Sequence, residues 1–167
     1  MFKIIGLVLL ILSGTSIGLM FSIRSLVHIN FLKEYINLIL NMKTEIKYSQ
    51  KPIFEILKDY NSKECLSECI KKCIELSNNN SFEIAWKSSF SNLSTLYGVS
   101  LEEEKIINNF ASKLGTSDID NQINYCEYNI SLINPYLQNA IENKTKNQKL
   151  PVILGISLSL IICIVFI

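Results

Sequence analysis

The sequence predicts an all-α protein, a helical bundle of about six helices flanked by an N-terminal and a C-terminal transmembrane helix. Three observations support this. The chain begins and ends in long uncharged apolar segments, and apolar residues between them recur at helical spacing. No segment alternates apolar and polar residues as a half-buried strand does. The predicted domains are residues 1–24 (first span), 25–149 (bundle) and 150–167 (second span).

The first predicted span is the uncharged run from Ile4 to Ile23, which gives about 30 Å of helix. A cleavable secretory signal is the alternative, because Lys3, the apolar run and the small residues 13–16 resemble its three regions. Apolar residues resume through Ile23, where a signal would already have ended. This continuation favours a retained span.

The second predicted span runs from Pro151 to Ile167 and gives roughly 26 Å of helix, close to the hydrocarbon thickness of a bilayer. In both spans small residues recur every four positions. Such faces let two helix backbones approach closely in lipid. Small residues are also common in membrane helices. The alternative is therefore that this spacing reflects composition and that the two helices make no contact. The candidates for packing between the spans or with a partner are Gly14, Gly18, Ser22, Gly155 and Ser159.

The region between the spans is electrically neutral. All basic residues except Lys3 lie there, 15 against 15 acidic residues. Nucleic-acid binding calls for a basic patch or stripe. The sequence therefore predicts no nucleic acid among the partners.

The basic residues beside the spans predict the orientation. On the side of the spans away from the bundle there is only Lys3. The basic residues on the bundle side are Arg24, Lys33, Lys144, Lys146 and Lys149. Positive charge is enriched in cytoplasmic segments. We therefore expect a multi-pass cell-membrane protein with two spans and a cytoplasmic bundle. An extracytoplasmic, membrane-anchored interaction domain is the alternative if the first span is cleaved.

The bundle is predicted to start with an amphipathic helix that continues from the first span. Its apolar face consists of Ile29, Leu32, Ile36, Ile39, Met42 and Ile46. The helix should stop near residues 49–51, because Pro52 disfavours helical conformation in the preceding residue and suits the first turn of a new helix. Residues 53–60 then form a short second helix.

Three cysteines, Cys65, Cys69 and Cys73, stand four apart on the next predicted helix. They suggest a thiol- or metal-binding membrane enzyme as an alternative function. Packing is favoured, because a cysteine is a small apolar residue that is commonly buried. The row also lacks the Cys-x-x-Cys pairs of common zinc sites, and the only histidine, His28, lies beside the first span.

After a turn at residues 77–81, an aromatic-rich stripe predicts one helix that ends at Gly98, a natural left-handed cap. The stripe consists of Phe82, Trp86, Phe90, Leu93 and Tyr97. Such a stripe usually packs in a core. We therefore expect Trp86 to anchor the domain.

Ser100 and Glu103 form a capping-box pattern that starts a new helix. The acidic triplet 102–104 is interpreted as a solvated first turn, because three consecutive carboxylates point around a helix and do not converge. The predicted inner face is Ile107, Phe110, Ala111 and Leu114, and Gly115 ends the helix.

The last and longest bundle helix is predicted to begin at Ser117 and Asp118. Its apolar residues alternate steps of four and three, which suits packing along another long helix, with the helix over residues 29–46 as the expected partner. Pro135 should kink it. The seam consists of Ile119, Ile123, Cys126, Ile130, Ile133, Leu137 and Ala140.

The sequence contains no Gly-rich phosphate loop, nucleophile elbow or histidine-containing ligand pair. We therefore predict a protein that is not an enzyme, with no cofactor and no metal site.

The order of features resembles the stage III sporulation protein AB family of spore-forming Firmicutes. The motifs lie between two terminal spans, and the resemblance covers essentially the whole chain. The family's leucine after the proline is Ile53 here, and the cysteine row is not a family feature. The motifs are Glu45-Ile46-x-Tyr48, Pro52-Ile53-x-Glu55-Ile56-Leu57, Ala85-Trp86 and Phe110-x-x-x-Leu114-Gly115.

This resemblance implies a distant relative of the inner-membrane platform protein of type II secretion systems, made in the mother cell and part of the channel complex that joins it to the forespore. It implies a secretion-type ATPase, stage III sporulation protein AA, and other membrane proteins of the same operon as partners, besides the lipid bilayer. Homo-oligomerisation stays open. Glu45, Tyr48 and Pro52 match the family's recurring residues, and we expect them to fix the turn or contact a partner. The alternative is that Tyr48 packs and Glu45 caps a neighbouring backbone.

Overall fold

The computed structural model describes residues 2–49, 51–62, 64–77, 80–115 and 118–147, together with Ile153 and Ser157. For residues 2–19, 21, 22, 64 and 147 it describes the backbone alone. Within the described residues all regular structure is helical, which confirms the predicted all-α class. The helices are α1 (Phe2–Tyr48), α2 (Ile53–Asp59), α3 (Glu64–Leu76), α4 (Phe82–Ser89), α5 (Leu93–Tyr97), α6 (Leu101–Asn109), a 3₁₀ helix (Phe110–Ser112) and α7 (Ile119–Asn147).

The chain divides into two compact units, one of Val27–Asn139 and one of Met1–Leu26 with Ala140–Ile167. The described part of the chain contains no helix that is long and apolar enough to cross a membrane. The predicted second span, residues 150–167, lies outside the described residues except for Ile153 and Ser157. Both spans and the domain boundaries at residues 24 and 149 stay predictions.

The core of the Val27–Asn139 unit is centred on Trp86, which is fully buried as predicted. Its ring stacks on Phe90 with centroids 4.1 Å apart and lies 5.5 Å from the ring of Phe110. The indole Nε1 donates to the carbonyl oxygen of Ile107 at 2.8 Å, so the polar end of the side chain is also satisfied. This residue joins α4 to α6.

The buried face of α1 differs in part from the predicted one. Phe31, Tyr35 and Leu38 are fully buried, whereas Ile36 is only half-buried. The buried stripe is wider than a single line of apolar residues, because the helix is covered on more than one side. The Tyr35 hydroxyl donates to Asn129 Oδ1 at 2.8 Å, which places α7 beside α1 within this unit, as predicted.

The single helix predicted over residues 82–97 is wrong, because α4 ends at Ser89 and α5 begins at Leu93. Asn92 adopts a left-handed conformation with φ of 62°, which interrupts the helical ladder. The Ser89 and Ser91 hydroxyls bond the carbonyls of Ala85 and Ser88 at the break. Phe90 and Leu93 nevertheless stay buried.

The predicted helix end at Gly98 is confirmed, and Gly98 is a left-handed residue with φ of 71°. Gly115 is also left-handed, with φ of 77°, but the helix predicted to end there does not reach it. The helix before Gly115 is shorter than predicted, because α6 ends at Asn109 and tightens into the 3₁₀ helix. Its four predicted inner residues are all buried. In α7 Cys126, Ile133 and Leu137 are buried, whereas the first seam residue, Ile119, is exposed.

Candidate functional site

The C-terminal end of α1 contains two of the residues that the sequence singled out. The Ser49 hydroxyl donates to Glu45 Oε2 at 2.6 Å and to the Glu45 carbonyl oxygen at 2.7 Å. The Glu45 carboxylate therefore holds the residue that follows the helix. Tyr48 is 75% exposed, and Lys47 Nζ lies 5.3 Å from the centroid of its ring. The tyrosine thus presents an aromatic face with a cation beside it to the solvent.

Pro52, the third of these residues, lies at the start of α2. Its φ of −54° suits the entry to a helix, and its carbonyl oxygen accepts hydrogen bonds from the amides of Glu55 and Ile56. Lys51 donates to Asp59 Oδ2 at 2.7 Å, and this hydrogen bond raises the pKa of Lys51. The turn between α1 and α2 is therefore fixed on the α1 side by the bond between Ser49 and Glu45, and on the α2 side by the bond between Lys51 and Asp59.

An open groove of about 590 Å³ lies beside this turn. Phe54 and Phe82 are half-buried in its wall, with ring centroids 5.6 Å apart and edge to face. Gly115 also lines the groove, where an added Cβ would come within 3.1 Å of Ile53 Cδ1. A glycine is required here both by its positive φ and by this close approach. The groove is lined by Lys51, Pro52, Ile53, Phe54, Ser81, Phe82, Glu83, Ala111, Ser112, Leu114, Gly115 and Gln122.

The acidic triplet is not wholly solvated, which corrects the prediction for Glu103. The predicted capping box is present: Ser100 and Glu103 bond each other's backbone amides. Glu103 is nevertheless only 2% exposed, and His28 Nε2 lies 3.1 Å from both of its carboxylate oxygens. Burial raises the pKa of Glu103, but the hydrogen bonds from His28 and Ser100 outweigh it and lower the pKa overall.

The pair was missed because its members lie 75 residues apart. One signal was available. His28 lies one helical turn before Leu32 and therefore on the buried face of α1, where an ionisable side chain needs a polar partner. That partner was not identifiable from the sequence, because a capping box normally faces the solvent.

The cysteine row lies along α3, as predicted. Two of its members are packed in the core, as the preferred interpretation expects. Cys69 and Cys73 are 5% and 0% exposed. Burial raises the pKa of Cys69 to about 11 and that of Cys73 to about 12, so both are thiols at neutral pH. Within the described residues no group of three histidine, cysteine or acidic side chains could hold a metal ion. These two sulfurs are therefore poorly placed for nucleophilic chemistry.

The residues predicted to pack the transmembrane helices are not described at the level of side chains. Gly14, Gly18 and Ser22 lie in the part of α1 whose backbone alone is described. Gly155 and Ser159 lie outside the described residues. Their role stays a prediction.

The comparisons with known proteins place the chain in one family. No curated protein and no solved structure shows a significant match. Residues 3–167, essentially the whole chain, match the family described as stage III sporulation protein AB. The resemblance carried by the Glu45, Pro52 and Trp86 motifs is thereby confirmed. The chain belongs to the stage III sporulation protein AB family, and its role lies in stage III of sporulation.

Proposed function

We propose that this protein is a non-enzymatic membrane platform component of a secretion-like channel complex between the mother cell and the forespore. The observation that carries the proposal is the family match over residues 3–167. In this proposal the segments 1–24 and 150–167 span the cell membrane, and the helical bundle lies in the mother-cell cytoplasm. The secretion-type ATPase, stage III sporulation protein AA, docks on the bundle, and other membrane proteins of the same operon pack against the spans.

The exposed turn after α1 supports a docking role for this part of the bundle. Tyr48 keeps 75% of its surface exposed although most large aromatic residues of the described bundle are at least half-buried. Exposed tyrosines are among the residues that contribute most to protein interfaces. The hydrogen bond between Ser49 and Glu45 fixes the backbone that presents the ring. A preorganised aromatic anchor loses little conformational entropy on binding.

The first test measures binding of the purified ATPase to the full chain in lipid nanodiscs. Replacing Tyr48 by alanine should weaken binding by about tenfold or more, the loss typical of an interface anchor. Tyr128, which is 57% exposed on α7, provides the matched control, and Tyr128→Ala should leave the affinity unchanged. If the ATPase binds the two variants with equal affinity, Tyr48 does not belong to the interface. If the ATPase does not bind the wild type, it is not a partner of this protein.

The second test concerns orientation. A single cysteine is introduced at the exposed Ser81 in a variant that lacks the five native cysteines. Labelling by a membrane-impermeant thiol reagent only after lysis of mother cells would support a cytoplasmic bundle. Labelling of intact cells would place the bundle outside, exclude the ATPase as a direct partner and favour an extracytoplasmic anchored domain.

A further inference from the structure

A second pocket, of about 700 Å³, lies between α1, the segment after α2 and the first turn of α3. It is distinct from the groove beside Pro52, and most of the residues that line it have polar side chains. The lining residues are Asn30, Lys33, Glu34, Asn37, Tyr60, Asn61, Ser62 and Cys65. We call this the Glu34 pocket.

Glu34 is the unusual residue in this lining. It is only 6% exposed, and its Oε1 has no hydrogen-bond partner. No lysine, arginine or histidine of the described residues lies within 4.0 Å of its carboxylate. A buried carboxylate oxygen without a hydrogen-bond partner is unfavourable, and such an atom in a folded protein calls for an explanation.

Glu103 shows how the same protein satisfies a buried carboxylate that serves the fold. Its oxygens receive hydrogen bonds from His28 and from the Ser100 amide. Glu34 lies on the same helix as His28, but its Oε1 receives no such bond. The burial of Glu34 therefore differs from that of Glu103. The hydrogen-bond donors of Glu103 belong to the protein, whereas a donor for Glu34 can enter from the pocket.

The chemistry of the lining selects the ligand. Beside the carboxylate it offers the amide groups of Asn30, Asn37 and Asn61 and the hydroxyl of Tyr60. Burial raises the pKa of Tyr60, and the nearby carboxylate of Glu34 adds to this increase. A ligand that complements this lining is a cation with several hydrogen-bond donors. A metal ion is a poor fit, because no group of three acidic, histidine or cysteine ligands occurs in the described part of the chain.

We propose that the Glu34 pocket binds the guanidinium group of an arginine side chain presented by a partner protein. A guanidinium is planar, weakly hydrated and bonds a carboxylate with two parallel N–H groups, while its remaining donors reach the asparagine oxygens. Lys33 is exposed and also lines the pocket, so its positive charge repels a bound cation, and a guanidinium must offset this repulsion through hydrogen bonds to several lining groups. This inference goes beyond the proposed function and does not depend on which protein the platform binds.

The test is an NMR titration of the full chain in detergent micelles, observed at the side-chain amide of Asn61. The probe is N-acetyl-L-arginine methylamide. Blocked lysine, spermidine and sodium chloride at matched ionic strength are the comparison ligands. We expect saturable shifts with the arginine probe, weaker binding of blocked lysine and spermidine, and no saturation with salt.

The decisive variant is Glu34→Gln, which keeps the shape and removes the charge. It should weaken binding of the arginine probe by about tenfold or more. Glu55→Gln, at an exposed glutamate of α2 that does not line the pocket, is the matched control and should bind as the wild type does. If Glu34→Gln loses the fold, Asn37→Ala on the exposed wall should still weaken binding several-fold.

Three results would overturn the proposal. Unchanged affinity in a folded Glu34→Gln variant would exclude the carboxylate as the anchor. Equal or tighter binding of blocked lysine would exclude selection of a guanidinium. Tighter binding of spermidine than of the arginine probe would assign the pocket to a free polyamine, which is not part of a protein partner.

Discussion

The pair of His28 and Glu103 should stabilise the fold far more than any exposed ion pair of the described residues. The perturbation is a double-mutant cycle with His28→Gln and Glu103→Gln. Glu103 has a side-chain exposure of 3%, and its two oxygens share the His28 Nε2 at 3.1 Å. A hydrogen bond to a charged group contributes about 1.5–3 kcal/mol. Since His28 keeps 20% of its side chain exposed, we expect a coupling free energy of about 2 kcal/mol.

The pH dependence of this coupling follows from the direction of the Glu103 shift. Folding lowers the pKa of the carboxyl below its ordinary value of 4.5, so the folded state favours the ionised form. Its contribution is complete above the ordinary value and is lost as the pH falls through the lowered pKa of the folded state. The coupling at neutral pH should therefore exceed that in acid.

The assay is urea unfolding of the full chain in detergent micelles, followed by tryptophan fluorescence. Trp86 is the only tryptophan of the sequence and is fully buried, so its emission reports the bundle. The matched control is the more exposed ion pair between Lys43 and Glu127, with 2.6 Å between Nζ and Oε1. A His28–Glu103 coupling no larger than that of the control pair, or one that does not change with pH, would refute the reasoning.

Three further predictions concern individual positions. Trp86→Phe should lower the free energy of unfolding by about 1–2 kcal/mol, measured by circular dichroism, because the hydrogen bond to Ile107 and part of the ring volume are lost; an unchanged midpoint would contradict this. Gly115→Ala should cost about 1–2 kcal/mol for its φ of 77° and more for the contact with Ile53. It should therefore destabilise more than Gly98→Ala, since Gly98 shares the positive φ but has no such close neighbour among the described residues. Cys69 and Cys73, with pKa values of about 11 and 12, should resist alkylation at neutral pH until urea unfolds the bundle, and rapid labelling of the native protein at either site, read by mass spectrometry, would argue against their burial.

The sequence predicted those parts of the fold that depend on neighbouring residues. The capping box at Ser100 and Glu103, the new helix after Pro52 and the left-handed Gly98 each follow from local backbone chemistry, and each is present. The break at Asn92 was missed because the apolar spacing of residues 82–97 continues across it. Periodicity reports which residues face the core, and it does not report whether the backbone between them stays helical.

The candidate sites were less predictable, because they depend on residues that are distant in the sequence. Tyr48 and Pro52 were identified through the family motif, whereas their exposure and the groove beside them required the structure. The Glu34 pocket gave no signal at all. In the sequence Glu34 is one more charged residue on an amphipathic helix, and only the packing of Tyr60 and the residues after it encloses the carboxylate.

The polar residues buried along α1 can be divided by what their partners do for the fold. His28 bonds Glu103, and Tyr35 bonds Asn129, whose amide donates in turn to the Ile106 carbonyl oxygen at 3.3 Å. These bonds tie α1 to α6 and α7 at fixed heights along the helix, because a shift of one residue would break both. A buried polar contact that fixes register in this way stabilises the fold only when all of its members are satisfied. The Oε1 atom of Glu34 makes no hydrogen bond of this kind, and this contrast is the ground on which we assign the residue to binding.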